Sequence, residues 1–260
     1  MYGQAQASTG RSPIVELRQY ALLPGRRDEL IDLFDSTFVE SQEAVGIDVI
    51  GQFRDLDHPD RFVWLRGFPS MDARRRSLTD FYSGPVWRAH RDAANATMVD
   101  CENVLLLRPA RSDSTFRLGG SFRRALGGDG RGVVEAAIFN LEAGDEAASA
   151  LTCIDEAVLP AVAESGGSIL GCYLTEASEN TFPALPVREG ENVLVWFAGF
   201  ADGSGAEHVW RSSQAVSRAV RKLEPTRPPQ ALRLAPTSRS LLDGDSPACL
   251  ALPPEAARAL

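Results

Sequence analysis

Lysine is almost missing from this chain: Lys222 is the only one among 260 residues, and arginine carries the remaining positive charge. That rules out a G-x-x-x-x-G-K-[ST] phosphate loop and confines any Schiff-base chemistry to Lys222, in a stretch that reads as a solvated helix end. No G-x-G-x-x-G follows a strand, and Gly127-Gly128-Asp129-Gly130 precedes one, the wrong order for a dinucleotide site. Histidine is scarce too. His58 falls in a turn, His208 near a helix start, and His90 alone on a plausible pocket wall, so no metal site is expected. Cys101, Cys153, Cys172 and Cys249 form no C-x-x-C pair and read as structural thiols of a reducing compartment. No run is long and apolar enough to span a bilayer. A net charge of −8 and a pI near 5.0 argue against nucleic acid or an anionic membrane as partner. Residues 1–12 are polar without the apolar middle of a signal peptide, and are expected to form a loose arm of a cytoplasmic protein.

What is present is patterned. Residues 14–22 alternate as a strand, Pro24-Gly25 turns the chain, and 27–38 repeat apolar residues at helical spacing. Strands follow over 47–53 and 61–68, then a helix over 71–82. A second helix starts at Pro85, with Ser83 as its expected cap, and its stripe carries Trp87, Arg91, Ala94 and Met98, with His90 and Asn95 on the shoulders. A guanidinium in the middle of a packing stripe needs a carboxylate, a ligand or water. A strand over 104–107 completes a β-α-β-β-α-β order, the ferredoxin-like unit.

The order then recurs: strand 133–141, helix 145–163, strands 168–174 and 192–200, helix 206–223, strand 231–234. Val63-Trp64-Leu65-Arg66-Gly67-Phe68 matches Val195-Trp196-Phe197-Ala198-Gly199-Phe200, and Val15-Glu16 matches Val134-Glu135. Val86-Trp87-Arg88 matches Val209-Trp210-Arg211. Matches in the same order predict an α+β fold of two tandem ferredoxin-like repeats, their antiparallel sheets packed face to face as an α/β barrel. The expected divisions are an arm (1–12), repeat one (13–109), a linker (110–131), repeat two (132–237) and a C-terminal arm (238–260) over the surface or a neighbouring subunit.

Residues kept in both copies, such as Glu16, Trp64 and Trp87, read as structural. Those polar in one copy only are better functional candidates: Arg18 becomes Ala137, Tyr20 Phe139, Arg66 Ala198 and His90 Ser213. On the first strand, Val15 and Leu17 suit the helix side, which turns Glu16, Arg18 and Tyr20 toward the second sheet. A mutual Glu16–Arg18 ion pair is one account of that polar row; the lining of a cavity is the other.

The stretches Val15-Glu16-Leu17-Arg18-Gln19-Tyr20, Gly51-Gln52-Phe53, Val63 to Phe68, and Pro85-Val86-Trp87-Arg88-Ala89-His90-Arg91 resemble bacterial NIPSNAP-domain proteins. That resemblance implies the dimeric α/β barrel fold. Related barrels include cofactor-free monooxygenases of polyketide pathways, lactone isomerases and haem enzymes. The expected function is therefore a metal- and nucleotide-independent enzyme of secondary metabolism, without cofactor, acting on an aromatic or polyketide-like oxygenated molecule by proton transfer. Isomerisation, cyclisation, elimination or cofactor-free oxygenation all fit. His90, Arg18, Arg66 and Tyr20 are the expected catalytic group, His90 moving a proton and the arginines steadying a developing anion. Glu16, Trp64, Trp87, Arg91, Asn95 and Met98 are expected to hold the substrate. The alternatives are a non-catalytic metabolite- or protein-binding role and, third, a haem enzyme ligated by His90. A small-molecule ligand is expected, and a homodimer is compatible with the resemblance.

Overall fold

Strand β1 (Ile14–Leu22) carries a buried residue at nearly every position, so both of its faces are covered. The structure, a computed structural model, describes residues 12–118, 123–127, 129–141, 146–201, 209, 213–222 and 227–250. Residues 1–11 and 251–260 of the two expected arms, with His208, Trp210 and Arg211, lie outside these. β1 ends at a turn in which Gly25 takes φ +75, a conformation that suits glycine.

Helix α1 (Arg27–Leu33) passes through a π-helical turn, Phe34–Phe38, into α2 (Val39–Glu43). The extra residue in that turn shifts the apolar phase, so the helical pattern stops at Phe38 in the sequence while the helix continues in the fold. β2 (Asp48–Asp55) and β3 (Arg61–Phe68) form a hairpin. α3 (Met71–Ser83) is capped by Ser70, whose Oγ accepts from the Ala73 amide at 3.1 Å. α4 (Pro85–Asn95) has Gly84, not Ser83, at its cap; Ser83 is the last residue of α3. A Cβ at position 84 would sit 2.9 Å from the Asp80 carbonyl, so the close junction of the two helices requires glycine. β4 (Met98–Pro109) starts six residues earlier than its apolar run suggests, and Met98 belongs to it rather than to the helix.

The second repeat follows the same plan: β5 (Val133–Asn140), α5 (Glu146–Cys153), a π-helical turn Ile154–Val158, and α6 (Leu159–Glu164). Then come β6 (Ser168–Thr175), β7 (Val193–Phe200), α7 (Gln214–Lys222) and β8 (Gln230–Pro236).

The two four-stranded sheets, β4-β1-β3-β2 and β8-β5-β7-β6, face each other and also join along both edges. β2 pairs with β8 and β4 with β6, which closes an eight-stranded antiparallel barrel. The registers correspond: Glu16 opposes Arg66 in one repeat, and Glu135 opposes Ala198 in the other.

The barrel interior is apolar, built from residues such as Val15, Leu17, Val63, Leu65, Val134, Ala136, Val195 and Phe197. The expected facing of β1 is therefore reversed. Val15 and Leu17 point into the barrel, while Glu16, Arg18 and Tyr20 lie on the outer face, toward the helices. A closed barrel has a narrow interior suited to aliphatic side chains, whereas the helix side supplies partners for polar ones.

The segments after β4 and β8 are not loose. Ala110 and Ser114 bond to Cys172 of β6, and Phe116 is buried in the interior. Thr237, Leu241 and Leu242 bond to Gln52 and Ile50 of β2, and Leu242 is likewise buried there. Each segment crosses a bulge beside a glycine, Gly171 in β6 and Gly51 in β2.

Candidate functional site

Strand alternation and pairing bring the polar residues of repeat one onto a single carboxylate. Glu16 is fully buried, and its Oε2 accepts from Arg18 Nη1 and Arg66 Nε, each at 2.7 Å. Its Oε1 accepts from Arg74 Nε at 2.6 Å. Arg66 opposes Glu16 across the β1–β3 pairing, and Arg74 reaches the same carboxylate from α3. The expected Glu16–Arg18 ion pair thus exists as one arm of a larger cluster.

Burial alone would raise the Glu16 pKa. The guanidiniums of Arg66, Arg18 and Arg74 reverse that and hold the carboxyl well below the usual range. Arginine remains charged under all ordinary conditions, so three guanidiniums face one carboxylate and two positive charges are left in excess. Neither Arg66 Nη2 nor Arg74 Nη2 has a hydrogen-bond partner in the protein, although both are buried.

Aromatic rings stand over this charge. The Arg18 and Arg66 guanidinium carbons lie 5.5 and 5.0 Å from the Trp64 ring centre. Arg18 Nε donates to the Tyr20 hydroxyl at 3.0 Å, which leaves the hydroxyl's own proton free to be donated. Burial pushes the Tyr20 pKa up, against the opposing pull of Arg18, so Tyr20 is a protonated donor at neutral pH.

Tyr20 and Trp64 line a narrow cleft between the sheet and the helices, with free room of about 30 Å³. Leu30, Phe34, Phe38 and Gln42 form one wall, while Phe81, Tyr82, Trp87, Ala94 and Met98 complete it. Gln42 links the cleft to the cluster, because its Oε1 accepts from Arg66 Nη1 at 3.3 Å. The loop between β6 and β7 crosses over from repeat two. Asn180 and Thr181 accept from Arg74 Nη1 at 3.0 and 3.2 Å, and Phe182 stacks on Tyr82 at 5.8 Å.

Of the residues expected from sequence, Glu16, Arg18, Tyr20, Trp64 and Arg66 come together, and Trp87 and Met98 join them in the cleft. His90 does not line it. The imidazole is half-buried against the edge of Phe38, with ring centres 6.4 Å apart. Arg91 and Asn95 are exposed, and Arg91 lies 3.4 Å from Asp92 rather than from any ligand wall. The reason is phase: α4 turns Ala94 inward and leaves its polar residues outward.

Arg74, Gln42, Tyr82, Asn180 and Thr181 are additions from the structure. Arg74 sits in Arg74-Arg75-Arg76, which reads as a solvated run, yet it shares a helical stripe with Leu78 and Phe81. That spacing was its signal. Asn180 and Thr181 carry none, since the contact spans more than 100 positions.

Repeat two fills the same place with Ala137, Phe139, Trp196 and Ala198 in an apolar cluster. Its Glu135 Oε2 accepts from the Val209 amide at 3.3 Å. The charged site belongs to repeat one. Among the described residues, no group of three or more His, Cys, Asp or Glu side chains is arranged to hold a metal ion.

Residues 15–112 match the NIPSNAP family model. Two solved structures resemble nearly the whole chain. One is a candidate monooxygenase from Lactobacillus acidophilus, 11% identical, with a TM-score of 0.52 over 87% of this chain and 94% of that one. The other is a candidate monooxygenase from Fusobacterium nucleatum, 8% identical, with a TM-score of 0.53 over 87% and 93%. A NIPSNAP-like domain protein from Burkholderia xenovorans is 26% identical, with a TM-score of 0.35 over 37% of this chain and 84% of that one. No curated protein matches the chain.

Proposed function

We propose, for a chain whose residues 15–112 form a NIPSNAP domain, that the cleft of repeat one takes a planar, oxygenated aromatic or polyketide-like molecule bearing an acidic group. The observation that carries this is the excess of two buried positive charges behind an aromatic-walled cleft. A buried cation without a counter-charge is costly, and an anionic ligand supplies what Glu16 alone does not. Tyr82 and Trp87 line the cleft and Phe182 stacks on Tyr82; in this reading these rings part for a flat ligand to enter.

The chemistry we propose is that of a metal- and nucleotide-independent enzyme acting on an enolate or phenolate. The substrate is bound as its enolate or phenolate, having given its proton to water. Tyr20 donates its proton to the carbanion or leaving group or, where the carbanion has first added O₂, to the peroxide so formed. Arg18 stabilises the tyrosinate left behind, and water returns the proton. The arginine field lowers the energy of the substrate anion. Proton-transfer reactions such as isomerisation, cyclisation or elimination fit this arrangement, as does oxygenation in which the substrate carbanion itself reduces O₂. Two proteins of the same fold being named as candidate monooxygenases supports the last. A second reading, binding without catalysis, is favoured by one observation: His90, the expected proton carrier, does not line the cleft.

The test is titration of the whole protein with paired aromatic acids and their methyl esters, followed by tryptophan fluorescence. The acid should bind about 10–100-fold more tightly, because a hydrogen bond to a charged group is worth about 1.5–3 kcal/mol. Equal affinity of acid and ester would remove the basis of the proposal. Tyr20→Phe separates the two readings. Loss of turnover with binding retained marks an enzyme, whereas an unaltered product profile with wild-type protein marks a binding protein.

A further inference from the structure

The π-helical turn of repeat one has a second side. Phe34 and Phe38 face the aromatic cleft, while Asp35 and Ser36 face a different one, of about 680 Å³ with its open mouth. Asp32, Arg54, Thr237 and Ser238 are among its walls.

Asp35 is only 5% exposed, and its Oδ1 has no hydrogen-bond partner in the protein. Repeat two shows what the same position does when it is satisfied. Asp155 is likewise the second residue of its π-helical turn, and it receives a two-pronged bond from Arg111, at 2.7 and 2.9 Å. Arg111 comes from the segment after β4, and residues 237–239 occupy the corresponding segment after β8. There the nearby arginine, Arg239, is engaged by Glu40 instead. One copy therefore carries its own guanidinium on this aspartate, and the other does not.

The surrounding charge favours a cation. Among the described residues Arg54 is the one guanidinium lining the cleft; it is paired with Asp28 at 2.8 Å and Asp129 at 3.6 Å, although its Nη1 makes no hydrogen bond. Asp32 and Asp35 are the carboxylates of its wall, and each of the arginines whose charge reaches Asp35 is paired with another carboxylate. Arg123, also near, is paired with Glu43. Burial pushes the Asp35 carboxyl up to about 6, with the Thr237 hydroxyl and Arg239, Arg123 and Arg54 pulling the other way. A carboxylate in such a place gains most from a cationic partner.

We propose that this cleft is a second ligand site, in which Asp35 receives the guanidinium group of a small molecule as Asp155 receives Arg111. The site stands apart from the aromatic cleft and does not depend on what that cleft binds.

The experiment uses ethylguanidinium as probe and N-ethylurea as its neutral counterpart, each titrated into the full-length protein by calorimetry and by NMR of the Asp35 carboxyl carbon. Saturable ethylguanidinium binding is expected, with a dissociation constant on the order of 1 mM, as befits one charge-assisted contact. Binding should fall at least about tenfold in Asp35→Asn, since tenfold corresponds to about 1.4 kcal/mol. Asp35→Asn keeps the side-chain shape, removes a charge that burial disfavours and is expected to fold. Leu126→Trp, at an exposed residue of the cleft wall, should block the site while leaving Asp35 intact. Equal binding of N-ethylurea, retained binding in Asp35→Asn, or no saturation by ethylguanidinium would each overturn the proposal.

Discussion

Replacing Glu16 by glutamine keeps the side-chain shape and removes the only carboxylate bonded to Arg18, Arg66 and Arg74. Three buried guanidiniums would then stand together uncompensated. Breaking a buried ion pair from one side costs about 3–5 kcal/mol, and here one side serves three partners. In a protein of this size that corresponds to a fall in melting temperature of roughly 6–20 °C. Arg18→Met should cost less, because Glu16 keeps two partners and the excess positive charge drops from two to one. Urea unfolding and thermal melting followed by far-UV circular dichroism give both values.

The pH dependence carries the sign. The folded Glu16 pKa lies below its unfolded value of about 4.3, so its stabilising contribution is present above that pH. It is lost progressively as pH falls through the folded pKa. Glu16→Gln should lack this acid-sensitive component, so the gap between wild type and variant narrows below about pH 4. A loss under about 1 kcal/mol at neutral pH, or an unchanged gap in acid, would refute the idea that one carboxylate balances this cluster.

Asp35 behaves in the opposite sense. Its folded pKa of about 6 lies above the ordinary 3.8, so its contribution to stability is present below 3.8 and lost as pH rises through 6. Asp35→Asn should therefore be more stable than wild type at pH 7 by up to about 3 kcal/mol and show no gain near pH 3; equal stability at pH 7 would contradict it. Asn180→Ala with Thr181→Ala removes two bonds to Arg74 Nη1 and should speed tryptic cleavage after Arg188 in the same loop while the barrel stays folded. Unchanged cleavage would show that Arg74 does not anchor the loop. Burial raises the half-buried Cys101 thiol too, but it raises Cys153 to about 11 and Cys172 and Cys249 to about 12. One fast-reacting thiol is expected in native protein, and labelling of Cys172 at a similar rate would count against the packing described.

Duplication of the fold was legible because whole words repeat in order, and two of them mark strands with fixed neighbours. Which face of β1 points inward was not legible. Alternation reports two faces but not their destinations, and both are buried here. The polar row went to the helix side because Arg74 and Gln42 wait there, on helices whose stripes look ordinary in the sequence. His90 was misleading for a related reason: its rarity drew notice, but the phase of α4 is set by Ala94. The contrast between copies picked out Arg18, Tyr20 and Arg66, all three in the cluster or bonded to it. It picked out His90 with them, however, and passed over Glu16, which both copies keep and on which the cluster turns.

The barrel closes within one chain, and among the described residues one half alone carries the charged cluster. A pair of identical repeats closed in the same way would hold two equal sites, able to influence each other through the shared sheet. Here the covalent joining of unlike halves leaves one cluster of this kind per barrel. Occupancy of the aromatic cleft should then follow a simple hyperbola, one ligand per chain, with a Hill coefficient of about one. Cooperativity of the kind available to a symmetric dimer would have to come from association of whole barrels.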